Sequence, residues 1–145
     1  AMTTPLFAAF IPGDPVPFAR PRFNHGRAFQ SPEYAAWKRG AALILRAAMA
    51  GRPRIARQPL YLAVEVYHPR PTARPDHVDA EEWRLGLAAW AITRSDTDNH
   101  VKAVGDALQD GGVIEDDRWI ARIEASSQYA PRGGRAGVNV VLGAA

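Results

Sequence analysis

Cysteine is absent from the 145 residues, and lysine nearly so. Without a thiol there is no disulfide, no thiolate nucleophile and no zinc site built on sulfur, so any metal is left to oxygen or imidazole, which favours a hard cation. No apolar run reaches membrane-spanning length, and no charged and then hydrophobic leader opens the chain; a cytoplasmic protein without a membrane partner is expected. Internal repeats and low-complexity tracts are missing too. A glycine-rich nucleotide fingerprint is also lacking, because the Asp110-Gly111-Gly112 run precedes a short strand and not a helix, so no nucleotide cofactor is expected. The four histidines, at 25, 68, 77 and 100, show no ligand spacing and read as surface residues.

What the chain does contain is an apolar fraction of 47% and a charged fraction of 23%, the proportions of an ordinary globular protein, at a length that fits a single domain over residues 1–145. Its basic residues are sixteen arginines and two lysines, with a net charge of +3. The planar guanidinium fork suits phosphate oxygens, so a polyanionic partner is expected unless the arginine content only reflects the base composition of the coding DNA.

Residues 5–11 read as a strand, followed by a stiff proline-rich loop, "PGDPVPFARPRF", that carries Arg20 and Arg22. Ser31 as N-cap, Pro32 behind it, and Tyr34, Trp37, Ala41, Ile44, Leu45 and Ala48 at helical spacing predict a helix that stops at Gly51 and Pro53. Leu60, Leu62, Val64 and Val66 alternate as a half-buried strand does. Asp79, with Glu82 three residues on and a Trp83–Leu87–Trp90 stripe, predicts a second helix over 79–92, and Asp98 or Asn99 opens a third with Val101, Val104, Ala107 and Leu108 toward the core. Trp119, Ala121, Ile123 and Ala125 then alternate in a strand, "GVNVVL" supplies another, and "PRGGRAG" reads as a hairpin loop between them. The expected fold is α+β, a mixed sheet of about four strands with helices packed on it.

Asp96 and Asp98 stand two residues apart at a helix start. Two ionised carboxylates about 4 Å apart repel by about 4 kcal/mol at an effective dielectric of about 20, whereas a helix N-terminus returns only about 0.5–1 kcal/mol. A cation is wanted there, and Lys102, one turn beyond Asp98, lies on the same helical face. A third carboxylate is available in the Glu115-Asp116-Asp117 run or at Asp106. Three carboxylates and no cysteine describe an oxygen-lined site for Mg²⁺ or Mn²⁺, ions that bridge to phosphate. The plainer roles are Asp98 as an N-cap, the acidic run as a solvated turn and Lys102 as half of a surface ion pair. A calcium loop is excluded because Val101 stands where it needs glycine.

The run "DTDNHVKAVGDALQDGGVIEDD", 96–117, resembles the signature of the RusA family of Holliday-junction resolvases, and "IPGDPVPFARPRF" resembles the start of that family's chains. The resemblance implies a homodimeric, Mg²⁺-dependent endonuclease acting on branched DNA. Asp96, Asp98 and Asp117 match the family's metal-binding carboxylates and Lys102 its catalytic lysine. Asp106 matches a helix aspartate in a structural or supporting role, and Asn99 and Asp116 stand beside the ligands. On this reading Arg20, Arg22 and Arg27 grip DNA phosphates. The chain departs from the family at Arg94-Ser95, where Lys-Pro is frequent, and at Thr97, where an apolar residue is. Segment 78–93 reads as a helical insertion whose Trp83 and Trp90 cover the core, extend a dimer interface or stack on bases, the first being favoured. The alternatives to junction resolution are a non-catalytic DNA-binding module on this scaffold and a nuclease acting on other branched DNA.

Overall fold

The computed structural model describes residues 4–92 and 96–145, and the elements named here are those of the described residues; Arg94 and Ser95 lie outside them. In chain order they are strand β1 (Phe7–Pro12), strands β2 (Arg22–Asn24) and β3 (Arg27–Phe29), helix α1 (Pro32–Met49), strand β4 (Leu60–His68), helix α2 (Ala80–Arg84), strand β5 (Ala89–Trp90), helix α3 (Thr97–Asp110), strand β6 (Ile120–Tyr129) and strand β7 (Gly137–Ala144). Five strands form one mixed sheet in the order β1-β7-β4-β6-β5, with β4 and β6 parallel and the other neighbours antiparallel. The class is α+β as the sequence predicts, with one strand more.

The alternation in β4 has a physical outcome: Leu60, Leu62, Val64 and Val66 are buried. They meet Phe7 and Ile11 of β1, Val138, Val140 and Leu142 of β7, Ala41, Leu45 and Met49 of α1, and Val104, Ala107 and Leu108 of α3 in one core. Burying each such aliphatic side chain contributes about 1.5–3 kcal/mol, so α1 and α3 are held on the same face of the sheet by this cluster. Helix α1 starts as its sequence predicts, with Ser31 Oγ accepting from the Tyr34 amide at 3.2 Å and Pro32 in the first turn. Ala48 is exposed, and Met49 fills the core position one residue on.

Three expectations are corrected. The helix over 79–92 stops at Arg84, although Asp79 does cap it, because Arg70 takes the carbonyls of Trp83 and Leu87 at 2.9 and 2.8 Å while stacking on the Trp83 ring at 3.5 Å. The chain wraps round that guanidinium, turns at Gly86 (φ 78°) and pairs as β5, leaving Trp90 64% exposed instead of covering the core. In β6 a bulge admits one extra residue, Ala121, so that Leu60 pairs with Ile120 but Tyr61 with Arg122, and the alternation from Trp119 to Ile123 breaks there. Residues 131–137 are not a hairpin loop, because β4 lies between β6 and β7.

The proline-rich loop likewise ends in structure where none was expected: β2 and β3 form a separate ribbon closed by His25 (φ 51°) and Gly26 (φ 75°). Positive φ at both central residues gives a turn whose twist matches the paired strands. No helix among the described residues is long and apolar enough to cross a membrane.

Candidate active site

Helix α3 is fixed at its first turn by two contacts to other parts of the chain and by its own first backbone bond. Thr97 Oγ1 and Ser127 Oγ of β6 lie 2.8 Å apart, the Asp96 carbonyl accepts from the His100 amide at 3.0 Å, and the Asn99 carbonyl accepts from the Phe18 amide at 3.0 Å. Asp96 is the N-cap by position, yet its carboxylate makes no capping bond; Oδ2 accepts from Asn99 Nδ2 at 2.8 Å. A cap that leaves the helix amides alone keeps most of its lone pairs for something else.

From that start, Asp98, Val101, Lys102 and Gly105 follow one another along a single helical stripe and line a cavity of about 220 Å³. The rest of the lining is the sheet, through Leu62 of β4 and Ile120 and Ile123 of β6, together with Asp117. The bulge at Ala121 gives the site this wall, because it turns both Ile120 and Ile123 inward across three positions. Asp117 begins a short 3-10 turn, Asp117–Trp119, capped by Asp116, whose Oδ1 accepts from the Arg118 amide at 2.9 Å. Gly105 faces it: a Cβ built on that glycine would sit 3.9 Å from the Asp117 side chain, an ordinary contact.

Electrostatics mark Asp117 out. Burial in the cavity wall, reinforced by the Asp116 and Asp106 carboxylates, pushes its pKa up from the usual value. A carboxylate so placed gains from any cation brought to it. Lys102 lies in the same cavity but joins no carboxylate in an ion pair among the described residues; its Nζ sits 4.0 Å from the centroid of the Phe18 ring. The aromatic face orients the ammonium without cancelling its charge. Phe18 in turn meets Tyr34 edge to face at 5.4 Å, and the Tyr34 hydroxyl donates to Asp106 Oδ2 at 2.6 Å. Asp106 thus ties α3 to α1.

Of the residues singled out in the sequence, Asp98, Lys102 and Asp117 come together in one cavity, whereas Asp96 stands at the helix mouth beside Asn99 and does not line it. Among the described residues no group of three Asp, Glu or His side chains is close enough to enclose a metal ion. What the chain offers Mg²⁺ is an all-oxygen pair, Asp98 and Asp117, which fits an ion that keeps several of its waters and takes one or two carboxylates. Arg20, Arg22 and Arg27 are exposed, the last two on the ribbon. The histidine expectation holds for His25 and His77, which are exposed, and is corrected for His100, which is buried, its ring 5.4 Å from that of His68, whose Nε2 is buried with no hydrogen-bond partner among the described residues. Phe18 and Gly105 escaped the sequence reading, since nothing in "PVPFARP" marks that ring as the lysine's seat.

Clefts of about 250 and 430 Å³ around Trp90 are larger but hold no lysine among acids, so chemistry and not volume picks out the site. Comparison with curated proteins gives no match. Residues 12–141, nearly the whole chain, match the family described as endodeoxyribonuclease RusA. With that match added to the acidic helix start, the lysine one turn on and the aspartate facing them, the chain belongs to the RusA family of endodeoxyribonucleases.

Proposed function

We propose that the protein is a Mg²⁺-dependent endonuclease that resolves four-way DNA junctions by phosphodiester hydrolysis, working as a homodimer. The observation that carries this reading is the cavity in which Asp98, Asp117 and the unpaired Lys102 meet. Family membership supports the nuclease chemistry. A two-fold dimer suits a junction that needs two opposed cuts, since it presents two equivalent sites.

In this mechanism Asp98 and Asp117 would hold the ion, and Asp96, at the start of the same helix, would be the third carboxylate available to it. Bound there, Mg²⁺ would supply a Lewis acid able to activate water and offset charge on the scissile phosphate. Lys102 adds a fixed positive charge where negative charge grows in the transition state, and Phe18 keeps that ammonium aimed inward. Asn99 orients Asp96 through its amide, and Asp116 holds the turn that presents Asp117. Leu62, Ile120 and Ile123 keep one side of the cavity apolar, which strengthens each charge interaction within it. Arg20, Arg22 and Arg27 bind backbone phosphates and position the strand without reading sequence.

The test is cleavage of labelled four-way junction, flap and linear duplex, each with Mg²⁺ and with EDTA, by wild type and by Asp96→Asn and Asp98→Asn. Mg²⁺-dependent junction cutting that both substitutions abolish, with binding retained, is expected. Undiminished cutting by the two variants would overturn the mechanism, and metal-independent binding without cutting by wild type would make the protein a binding module.

A further inference from the structure

The ribbon β2–β3 is free of the main sheet, and all six of its residues are exposed. Its register pairs Arg22 with Phe29, Phe23 with Ala28 and Asn24 with Arg27. Directly opposed residues of an antiparallel pair share a face, and successive residues alternate. One face of the ribbon therefore carries Arg22, Asn24, Arg27 and Phe29, and the other carries Phe23 over Ala28. Alanine is too small to cover a phenyl ring, and Phe23 is left 79% exposed. Among the exposed large apolar side chains of the described residues it is the most exposed, and Phe29 on the other face of the ribbon is 47% exposed.

Charge narrows the choice of partner. From Pro15 to Pro32 the chain holds Arg20, Arg22 and Arg27 and no carboxylate. Polyanion is the natural complement of such a stretch. Position narrows it further. The same segment is anchored to the active-site helix by the Phe18 amide on the Asn99 carbonyl at 3.0 Å, and by the Phe18 ring beneath Lys102. The ribbon is thus carried by the segment that seats Lys102. In nucleic acid the apolar surface open to a ring is the face of a base that is not stacked inside a duplex, and aromatic stacking on such bases is common where strands separate.

We propose that Phe23 stacks on an unpaired or unstacked base next to the cleavage site while Arg22 and Arg27 hold the flanking phosphates, so that the ribbon distinguishes branched DNA from continuous duplex. This rests on the nuclease reading above and adds a specificity element to it. The register gives the division of labour: the basic face tracks the backbone, which every DNA has, and the opposite face carries a ring that only a disrupted stack can receive.

The experiment uses full-length protein in EDTA, so that DNA is bound and not cut, with four-way junctions carrying 2-aminopurine at each branch nucleotide and a linear duplex of matched length. Wild type is expected to change 2-aminopurine emission at one or more branch positions. Phe23→Ala removes that change and lowers the ratio of junction to duplex affinity by roughly 10-fold, the size of one lost base stack, while Phe23→Trp keeps both. Arg22→Ala with Arg27→Ala weakens junction and duplex alike and flattens the salt dependence of log K by about 2. A Phe23→Ala protein with wild-type emission change and wild-type ratio overturns the inference. If that occurs while Asp98→Asn still abolishes Mg²⁺-dependent junction cutting, the catalytic reading stands and only the role of Phe23 falls. Wild type that neither binds nor cuts any DNA overturns both.

Discussion

At the scale of single residues, both lysines of the chain sit against one aromatic stack. Lys102 lies over Phe18 at 4.0 Å and Lys38 over Tyr34 at 5.7 Å, but among the described residues only Lys38 also has an acid, Asp110 at 3.5 Å. The contrast separates a charge that is spent from one that is kept. Phe18→Leu is expected to lower kcat for junction cleavage by about 2- to 5-fold, the worth of one cation–π contact, with KM little changed; single-turnover rates check this. Tyr34→Phe leaves Asp106 without its donor and is expected to destabilise the fold by about 1–3 kcal/mol in urea denaturation. A third residue-level outcome concerns pH. Burial, then the neighbouring His68, lowers the pKa of His100 from 6.5 to about 4, against a smaller opposing pull from Asp96. Between these values the unfolded chain binds a proton that the folded one refuses, so stability is complete above about pH 6.5 and falls as pH drops toward 4, by up to about 3 kcal/mol. Denaturation midpoints at pH 7.5 and 4.5 measure the loss, and replacing His100 with leucine flattens it. A histidine that no spacing rule marks can still be fully buried, because burial of position 100 follows from how α3 packs and not from its neighbours in sequence.

At the scale of elements, the legible parts were those whose signals are local. Ser31-Pro32 announces α1, the period-two run announces β4, and Asp98 with Lys102 at helical spacing announces the stripe that faces the cavity. The parts that misled depend on distant partners: α2 is cut short by Arg70, and the strand order around β4 is set by residues far apart in the chain. The ribbon was legible in principle, since Asn24-His25-Gly26-Arg27 holds a glycine at the second turn position, but four nearby prolines argue for a loop. The acidic run 115–117 before a strand is legible, but only the family resemblance singles out Asp117 within it; the bulge that builds the cavity wall beside it has no signature in the sequence. Gly105 tests the fit of helix to turn. Alanine there would gain up to about 1 kcal/mol of helix stability, and its Cβ at 3.9 Å from Asp117 would be an ordinary contact, so a higher Tm is expected together with slower cleavage in the narrowed cavity. Thermal scans and rate measurements on Gly105→Ala check both.

At the scale of the whole molecule, acid crowding bears on the proposed metal binding. Asp117, its pKa raised by burial and by Asp116 and Asp106, is held at a disadvantage when ionised without a cation. Asp117→Asn is therefore expected to raise the Tm of metal-free protein while abolishing cleavage, and Mg²⁺ to raise the Tm of wild type but not of the variant. Calorimetric scans with Mg²⁺ and with EDTA decide it. One last consequence belongs to the sheet. Phe7 is opposite Leu142, and β7 stands between β1 and β4 as the partner of each. The opening strand must therefore wait, unpaired, through more than a hundred residues of synthesis before its neighbour exists, and loop closure over that span is slow. Until β7 is made, the edge of β1 has no strand to pair with and is open to other chains, including its own sister copies.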